Sequence, residues 1–193
     1  MNDTNKFPLI SGNPSLDLVN TELVRRGLRH DLLTSLDDVM DWLNTEAESL
    51  GVDDVLLGEV GLRGRQVISC ILELRAMLRK QFEQIADGQP ISAHFIAYLE
   101  TKIERAPFTY KLKNQTLLPV PVGEVEDALG SLIAYDALTL IQSHKLAHLK
   151  HCSNPDCVLL FIDESGRRKW CSMQICGNRK KAARFQHRKA SEE

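Results

Sequence analysis

The chain has 193 residues, of which 43% are hydrophobic and 26% charged, an ordinary composition for a globular protein with one medium domain and a small appendage. No apolar run approaches the roughly 18–20 residues of a membrane span, and no apolar segment follows Met1, so the sequence predicts neither a membrane helix nor a signal peptide and favours a cytoplasmic location. The net charge of −2 divides unevenly: residues 1–143 hold 13 Lys and Arg against 21 Asp and Glu, a net of −8, and residues 144–193 hold 11 against 5, a net of +6. This division predicts two parts, one of which seeks an anionic partner.

The first predicted helix begins at Pro14, since proline suits the first turn of a helix, and runs to about Arg26, where Gly27 ends it. Four polar residues lie close to its apolar positions: Asp17, Asn20, Thr21 and Arg25. They predict either caps and interhelical hydrogen bonds or a small polar ligand pocket, and the spacing favours the first interpretation.

Four further helices follow from caps and helical periodicity. Ser35 and Asp38 resemble a capping box, which begins a helix to about residue 47, and residues 53–60 favour a short helix. A long helix is predicted from Arg63 to about Ala86, with Arg75 and Arg79 largely off its apolar stripe. Ser92 caps the next helix, which ends before Pro107.

Alternation then replaces the helical pattern. Residues 108–113 and 116–122 predict a β-hairpin, in which Pro119 and Pro121 either keep the second strand on an edge or break it early. A long helix from about Glu124 to Ser143 follows. The sequence therefore predicts a mainly α domain over residues 1–143 with a small β-hairpin near 108–122.

Two cysteine pairs with the same internal spacing dominate residues 144–193: Cys152 with Cys157, and Cys171 with Cys176. Four thiolates can close a tetrahedral shell around Zn²⁺, and Asn154, Pro155 and Asp156 supply the turn that the first pair needs. We therefore predict a structural, four-cysteine zinc site at these residues.

Other interpretations of the cysteines remain open. The pairs could form two disulfides, although cytosolic thiols stay reduced, or a redox switch that releases zinc, or plain buried side chains. His148 or His151 could replace one of the sulfur ligands. A catalytic zinc is not favoured, because four thiolates leave no open position.

The elements around the cysteines predict a treble-clef-like arrangement. Residues 158–163 read as a strand, residues 164–168 as a turn, Lys169 as the start of a return strand, and Cys176 lies near the start of a final basic helix. This helix and the turn offer a set of cations to nucleic-acid phosphates and bases: Arg167, Arg168, Lys169, Arg179, Lys180, Lys181, Arg184, Arg188 and Lys189. The alternative is that the basic module docks on the acidic domain.

The motif Cys176-Gly177-Asn178-Arg179, preceded by Phe161-Ile162-Asp163 and Arg168-Lys169-Trp170-Cys171, resembles a CGNR zinc finger. The opening Gly12…Leu16-Asp17-Leu18-Val19-Asn20-Thr21 and the segment Leu36…Trp42-Leu43 are similar to the ABATE domain that accompanies this finger. The resemblance covers nearly the whole chain and is most specific at its C-terminal end. It implies zinc at the four cysteines, DNA as partner, and a role among stress-induced bacterial transcription regulators.

These features bear on three classes of function. The first is a DNA-binding transcription regulator whose N-terminal domain senses a small-molecule effector or forms a homodimer. The second is a small-molecule-sensing or protein-interaction module with a structural zinc and no direct DNA contact. An enzyme is not expected, because the sequence has no phosphate-cradling glycine loop, no histidine pair with a general base and no nucleophile elbow.

Overall fold

Helices dominate the computed structural model, which describes residues 6–25, 27–113 and 115–178. The α-helices are α1 (Pro14–Val19), α2 (Leu36–Leu50), α3 (Asp54–Val60), α4 (Gly64–Ala86), α5 (Ala93–Arg105) and α6 (Val125–Gln142). The strands pair as antiparallel hairpins: β1 (Glu22–Arg25) with β2 (Leu28–Asp31), β3 (Phe108–Lys113) with β4 (Thr116–Pro121), and β5 (Leu149–His151) with β6 (Leu160–Ile162). Shorter turns are 3-10 at Gly61–Arg63 and Lys145–His148, and π-helical at Met173–Gly177. The predicted mainly α fold with small β-hairpins is confirmed.

Helix α4 lies at the centre of the apolar core. Its predicted stripe is fully buried at Val67, Ile71, Leu74, Leu78 and Phe82, and it packs against α1 and α6. The Phe82 ring meets the Phe95 ring of α5 edge to face, with centroids 6.2 Å apart. Burial of each large side chain stabilises the fold by about 1.5–3 kcal/mol, so this stripe fixes the position of the long helix.

The predicted capping box begins α2. The Ser35 hydroxyl accepts the Asp38 backbone N–H, and the Asp38 carboxylate accepts the Ser35 N–H at 2.9 Å. The helix continues to Leu50, where Gly51 takes a left-handed conformation with φ of 70°. Trp42 of this helix is fully buried.

The first helix is shorter than predicted, and this prediction was wrong beyond Val19. The chain leaves α1 at Asn20 and forms the β1–β2 hairpin, whose turn includes Gly27 with φ of 76°. The reason is tertiary: two buried arginines of α4 bind the Val19 carbonyl and the Thr21 hydroxyl, and so stabilise a chain path that local helical periodicity opposes.

The β3–β4 hairpin and α6 follow the prediction closely. The register pairs Phe108 with Pro121 and Tyr110 with Pro119, and the Phe108 ring contacts Tyr135 of α6 with centroids 5.2 Å apart. None of the helices in the described ranges is both long and apolar enough to cross a membrane.

Strand β6 takes a partner that the sequence did not indicate. It pairs with β5, so Phe161 lies opposite Lys150, and the predicted return strand at Lys169 is absent from the described residues. That segment instead approaches the first cysteine pair, where the Ser153 N–H donates to the Lys169 carbonyl at 2.9 Å. The segment thereby carries Cys171 towards Cys152 rather than along the hairpin.

Candidate metal centre

A tight turn positions the first cysteine pair. The Cys152 N–H donates to the Leu159 carbonyl at 3.2 Å, and the Cys157 N–H donates to the Asn154 carbonyl at 2.9 Å. The Asn154 side chain also accepts the Asp156 N–H. The polar residues between the two cysteines therefore close the loop that brings both sulfurs to one side.

The second pair is held by a capped π-helical turn. Ser172 caps this turn by accepting the Ile175 N–H at 3.0 Å, and its carbonyl accepts the Cys176 N–H at 3.1 Å. At Gly177 an added Cβ would lie 2.5 Å from the Met173 sulfur, so a larger residue would displace that flexible side chain.

The four sulfurs converge. The ligand atoms of Cys152, Cys157, Cys171 and Cys176 all lie within 4.8 Å of one another, and the Cys157 and Cys171 sulfurs are 3.9 Å apart. Cys152, Cys171 and Cys176 are buried, Cys157 is half-buried, and all four are free thiols rather than disulfides. The open alternative of two disulfides therefore receives no support from the geometry.

Backbone and amide N–H groups point at these sulfurs. The Cys171 N–H donates to the Cys152 sulfur at 3.4 Å, and the Asn154 amide donates to the Cys176 sulfur at 3.5 Å. A thiolate accepts such bonds better than a neutral thiol, because its charge strengthens them.

The thiols also shift each other's ionisation. A hydrogen bond from Cys157 lowers the pKa of Cys152, whereas interaction with Cys152 raises the pKa of Cys157 and that of Cys171. Four negative charges cannot gather at this distance unless a cation neutralises them, because like charges disfavour each other's ionised form.

This donor set fits a tetrahedral metal ion. Zn–S bonds of about 2.3 Å place the sulfurs of a regular tetrahedron about 3.8 Å apart, close to the 3.9 Å between Cys157 and Cys171. Four thiolates are the soft ligands that Zn²⁺ accepts in closed structural sites. His148 and His151 are not part of this cluster, and His151 lies 3.1 Å from the carboxylate of Asp87.

The turn that precedes Cys171 carries three of the predicted DNA contacts. Asp163 is 1% exposed and accepts the Lys150 ammonium at 2.9 Å, the Ser165 hydroxyl at 2.7 Å and the Arg168 N–H at 3.0 Å. Although burial opposes its ionisation, these donors lower the pKa of Asp163 below its usual value. The Asp163 carboxylate therefore stabilises the conformation of the basic turn through these contacts.

The three cations of this turn, Arg167, Arg168 and Lys169, differ in their contacts. Arg168 donates to the Ile162 carbonyl at 3.2 Å and to the Cys171 carbonyl at 2.5 Å, and its guanidinium lies 4.7 Å from the centroid of the Phe161 ring. Arg167 and Lys169 are exposed, and no acidic side chain in the described part of the chain forms an ion pair with either. Arg168 therefore holds the turn together, while its two neighbours face outward.

The remaining predicted DNA contacts lie outside the described residues. They are Arg179, Lys180, Lys181, Arg184, Arg188 and Lys189.

The residues of the candidate ligand pocket are engaged within the chain. Asp17 is 1% exposed and accepts the backbone N–H groups of Ile10, Ser11 and Gly12 at 3.0–3.1 Å. The Thr21 hydroxyl donates to the Leu18 carbonyl at 2.7 Å. These contacts match capping and internal hydrogen bonding, the interpretation that spacing favoured, and the side chain of Arg25 lies outside the described residues.

Asn20 joins the two parts of the chain. Its side chain is fully buried, accepts the Leu160 N–H at 3.0 Å and donates to the Leu160 carbonyl at 3.0 Å. The Asn20 side chain therefore satisfies both backbone groups of Leu160, the first residue of β6, as a neighbouring strand would.

Arg79 and Arg75, which the sequence interpretation placed off the apolar stripe, are buried at this junction. Arg79 donates to the Val158 carbonyl at 3.3 Å, and its Nε lies 2.6 Å from a carboxylate oxygen of Glu22. Arg75 binds both carboxylate oxygens of Asp31 at 2.6 and 2.5 Å, and this pairing lowers the pKa of Asp31 although burial acts against it. The sequence spacing could have indicated their burial, because Arg75 and Arg79 are four residues apart and lie on the same helix face as the apolar Ile71 and Phe82.

A cavity of about 500 Å³ lies beside the cysteines. The N-terminal segment and β1 form one wall through Leu9, Ile10 and Leu23, and the cysteine-rich region forms the other through Leu159 and Ile175. Cys157 and Cys176 also line it, so a molecule bound there would contact both parts of the chain.

Two family models match the chain in comparison with known families. Residues 12–144 match the ABATE family model, described as "Putative stress-induced transcription regulator", and residues 148–189 match the CGNR zinc finger. No curated protein matches the chain.

Proposed function

Since the chain belongs to the ABATE family and carries a CGNR zinc finger, we propose that it is a DNA-binding transcription regulator whose structural Zn²⁺ is held by Cys152, Cys157, Cys171 and Cys176. Its role is binding rather than catalysis. The convergence of four free thiols within 4.8 Å, next to a turn with outward-facing cations, is the observation that carries this proposal.

The metal would supply folding energy to the C-terminal part. The apolar cluster there is small and includes three of the four cysteines, together with Leu23, Leu159 and Phe161. A region of this size buries too little surface to fold by itself, and Zn²⁺ binding to comparable peptides contributes about 10–16 kcal/mol at neutral pH.

The basic turn supports an anionic partner. Arg167 and Lys169 remain unpaired with acidic side chains of the described residues, although residues 1–143 carry a net charge of −8. Docking of the turn on the acidic domain therefore has no support, and both cations are available to phosphate oxygens.

A mobility-shift assay of the zinc-loaded chain across salt concentrations tests DNA binding. We expect binding at about 50 mM salt and a loss of affinity of roughly 10-fold or more by about 200 mM, because released counterions make binding salt-dependent. Arg167→Ala with Lys169→Ala should weaken binding and reduce the salt slope by about two.

The matched control is Arg65→Ala with Lys80→Ala, which removes two exposed charges of α4 far in sequence from the turn. Equal losses from both double variants would show that net charge alone is responsible, and absence of binding at low salt would refute the proposal. Elemental analysis of the reduced protein independently tests the metal, with one zinc per chain expected.

The cavity beside the cysteines favours one second candidate, a small-molecule-sensing module with structural zinc and no DNA contact. Its volume of about 500 Å³ falls in the range of small-ligand sites, and its walls come from both parts of the chain. If the chain binds zinc but no DNA, and its thermal midpoint rises with members of a metabolite library, this second candidate is the better description.

A further inference from the structure

The β3–β4 hairpin is an exposed arm with one apolar face. On this face Tyr110, Leu112 and Leu117 are 64%, 74% and 61% exposed. Residues Thr109 and Lys111 on the opposite face of β3 are exposed too. Neither face of the outer half of the arm is therefore covered by the described residues, which is unusual for a strand with large apolar side chains.

One backbone edge of β3 also has no partner among the described residues. The Val122 N–H donates to the Pro107 carbonyl, so these two residues form a hydrogen-bonded pair. Hydrogen-bonded and non-hydrogen-bonded pairs alternate along an antiparallel ladder. Phe108, Tyr110 and Leu112 therefore direct their N–H and C=O groups away from β4. Within the described residues, β4 is the only strand that pairs with β3. Such an edge is a template for another strand.

The opposite edge of the hairpin cannot act in the same way. Pro119 and Pro121 occupy the outward-facing positions of β4 and have no N–H to donate. The arm therefore has one edge that can accept a strand and one that is blocked, so pairing through it stops at two copies instead of continuing as a filament.

We propose that β3 pairs antiparallel with β3 of a second copy of this chain, about a two-fold axis at Tyr110, to form a four-stranded sheet. Tyr110 then faces Tyr110, and Phe108 faces Leu112 of the second copy. Three hydrogen-bonded residue pairs give about six backbone bonds across the axis. A closed two-fold dimer is the commonest symmetry of soluble homo-oligomers.

Charge selects this register. With the axis at Tyr110, Lys111 lies opposite the neutral Thr109 of the second copy. An axis at Lys111 would set two lysines directly against each other, which is destabilising. An axis at Thr109 would use fewer of the outward-facing backbone groups.

The same register covers the exposed apolar residues. Because Leu112 lies opposite Phe108 of the second copy, the tip of each arm approaches the place where Phe108 packs on Tyr135, which is itself 49% exposed. The apolar faces of the two arms become continuous across the axis. This inference depends on the hairpin alone and is independent of zinc and DNA.

Sedimentation of the full zinc-loaded chain with the variant Tyr110→Pro tests the proposal. The wild type should be a dimer, and Tyr110→Pro should raise the dimer dissociation constant at least 10-fold, because it removes the central N–H of the free edge. This N–H does not bond to β4, so the hairpin tolerates the change, as it tolerates Pro119 opposite; circular dichroism checks this. Thr116→Ala, an exposed change on β4 away from the free edge, should leave the dissociation constant unchanged.

Mild oxidation of Tyr110→Cys tests the register without breaking the pairing. Paired residues in this position have Cα atoms about 5.5 Å apart, within the range of a disulfide, so a covalent dimer should form. Lys111→Cys should form none above the wild-type background, because its two copies lie beyond about 7 Å. A wild type that stays monomeric at about 100 μM, a dimer unaffected by Tyr110→Pro, or no crosslink through Tyr110→Cys would each overturn the proposal.

Discussion

The N-terminal helical part and the C-terminal cysteine-rich part are stabilised in different ways. The first has a contiguous apolar core around α4, with Trp42, Ile71 and Phe82 fully buried. The second has a small cluster in which sulfur atoms replace much of the aliphatic surface. It contacts the first through Asn20 and Arg79, and its residues Leu149 and Leu160 are buried in the larger core. The first part therefore has a large core of its own, whereas the second, under the proposed function, relies on a metal ion and on its contacts with the first.

Metal removal should separate the two parts most strongly. With a chelator under reducing conditions, amide protection should disappear over residues 149–178 and persist in α4, because about 10–16 kcal/mol of metal binding is lost only from the C-terminal part. Hydrogen exchange with mass spectrometry measures this. Cys171→Ser should act like the chelator, whereas Cys70→Ser, outside the cluster, should not; simultaneous loss of protection in α4 would contradict the comparison.

Arg79→Met should have the next largest effect. It leaves Glu22 without its closest cation and the Val158 carbonyl without a donor, and breaking a buried pair of this kind costs about 3–5 kcal/mol. The free energy of unfolding in urea gives the loss. Lys80→Met, an exposed change at the neighbouring position, should alter it by less than about 0.5 kcal/mol.

Asn20→Ala should have an effect of similar size. The change leaves the N–H and C=O of Leu160 buried without partners, at about 1–3 kcal/mol for each group. Because these bonds connect the two parts, protection from hydrogen exchange should fall in β6 more than in α4. Asn44→Ala, on the exposed face of α2, serves as control, and a loss confined to α4 would show that Asn20 does not connect the parts.

The smallest expected effect lies within the helical part. Burial, followed by the nearby charges of Asp17 and Asp136, raises the pKa of Glu46 to about 7, and burial also raises the pKa values of these two aspartates. A carboxyl group with a raised folded pKa stabilises the fold below its unfolded pKa, and this contribution disappears as the pH rises to about 7.

The thermal midpoint of the wild type should therefore fall relative to that of Glu46→Gln between pH 5 and pH 7.5, by the equivalent of about 1–3 kcal/mol. Glu48→Gln, an exposed change on the same helix, should parallel the wild type. Parallel curves for all three proteins would refute the raised pKa.

Much of the site was predictable because its chemistry is local. Four cysteines at matched spacing, with Asn154 and Asp156 in the intervening turn, indicate a common ion before any tertiary contact is known. Ser35 with Asp38, and the apolar stripe of α4, are local for the same reason: caps and helical periodicity depend on residues at most four positions apart.

The sequence alone therefore determined the mainly α fold, the caps and the β3–β4 hairpin, since each depends on neighbouring residues. It also indicated the gathering of the sulfurs, because the four cysteines form two pairs of equal spacing. Tertiary structure decided where α1 ends, which strand pairs with β6, and that Arg75 and Arg79 are buried. The end of α1 and the burial of the two arginines depend on partners more than 40 residues away, as with Arg79 and Val19. Strands β5 and β6 are close in sequence, but β6 is also bonded to Asn20, which lies 140 residues before Leu160. A buried polar group is stabilised by whichever partner the fold brings to it, and the spacing of residues along the chain does not reveal that partner.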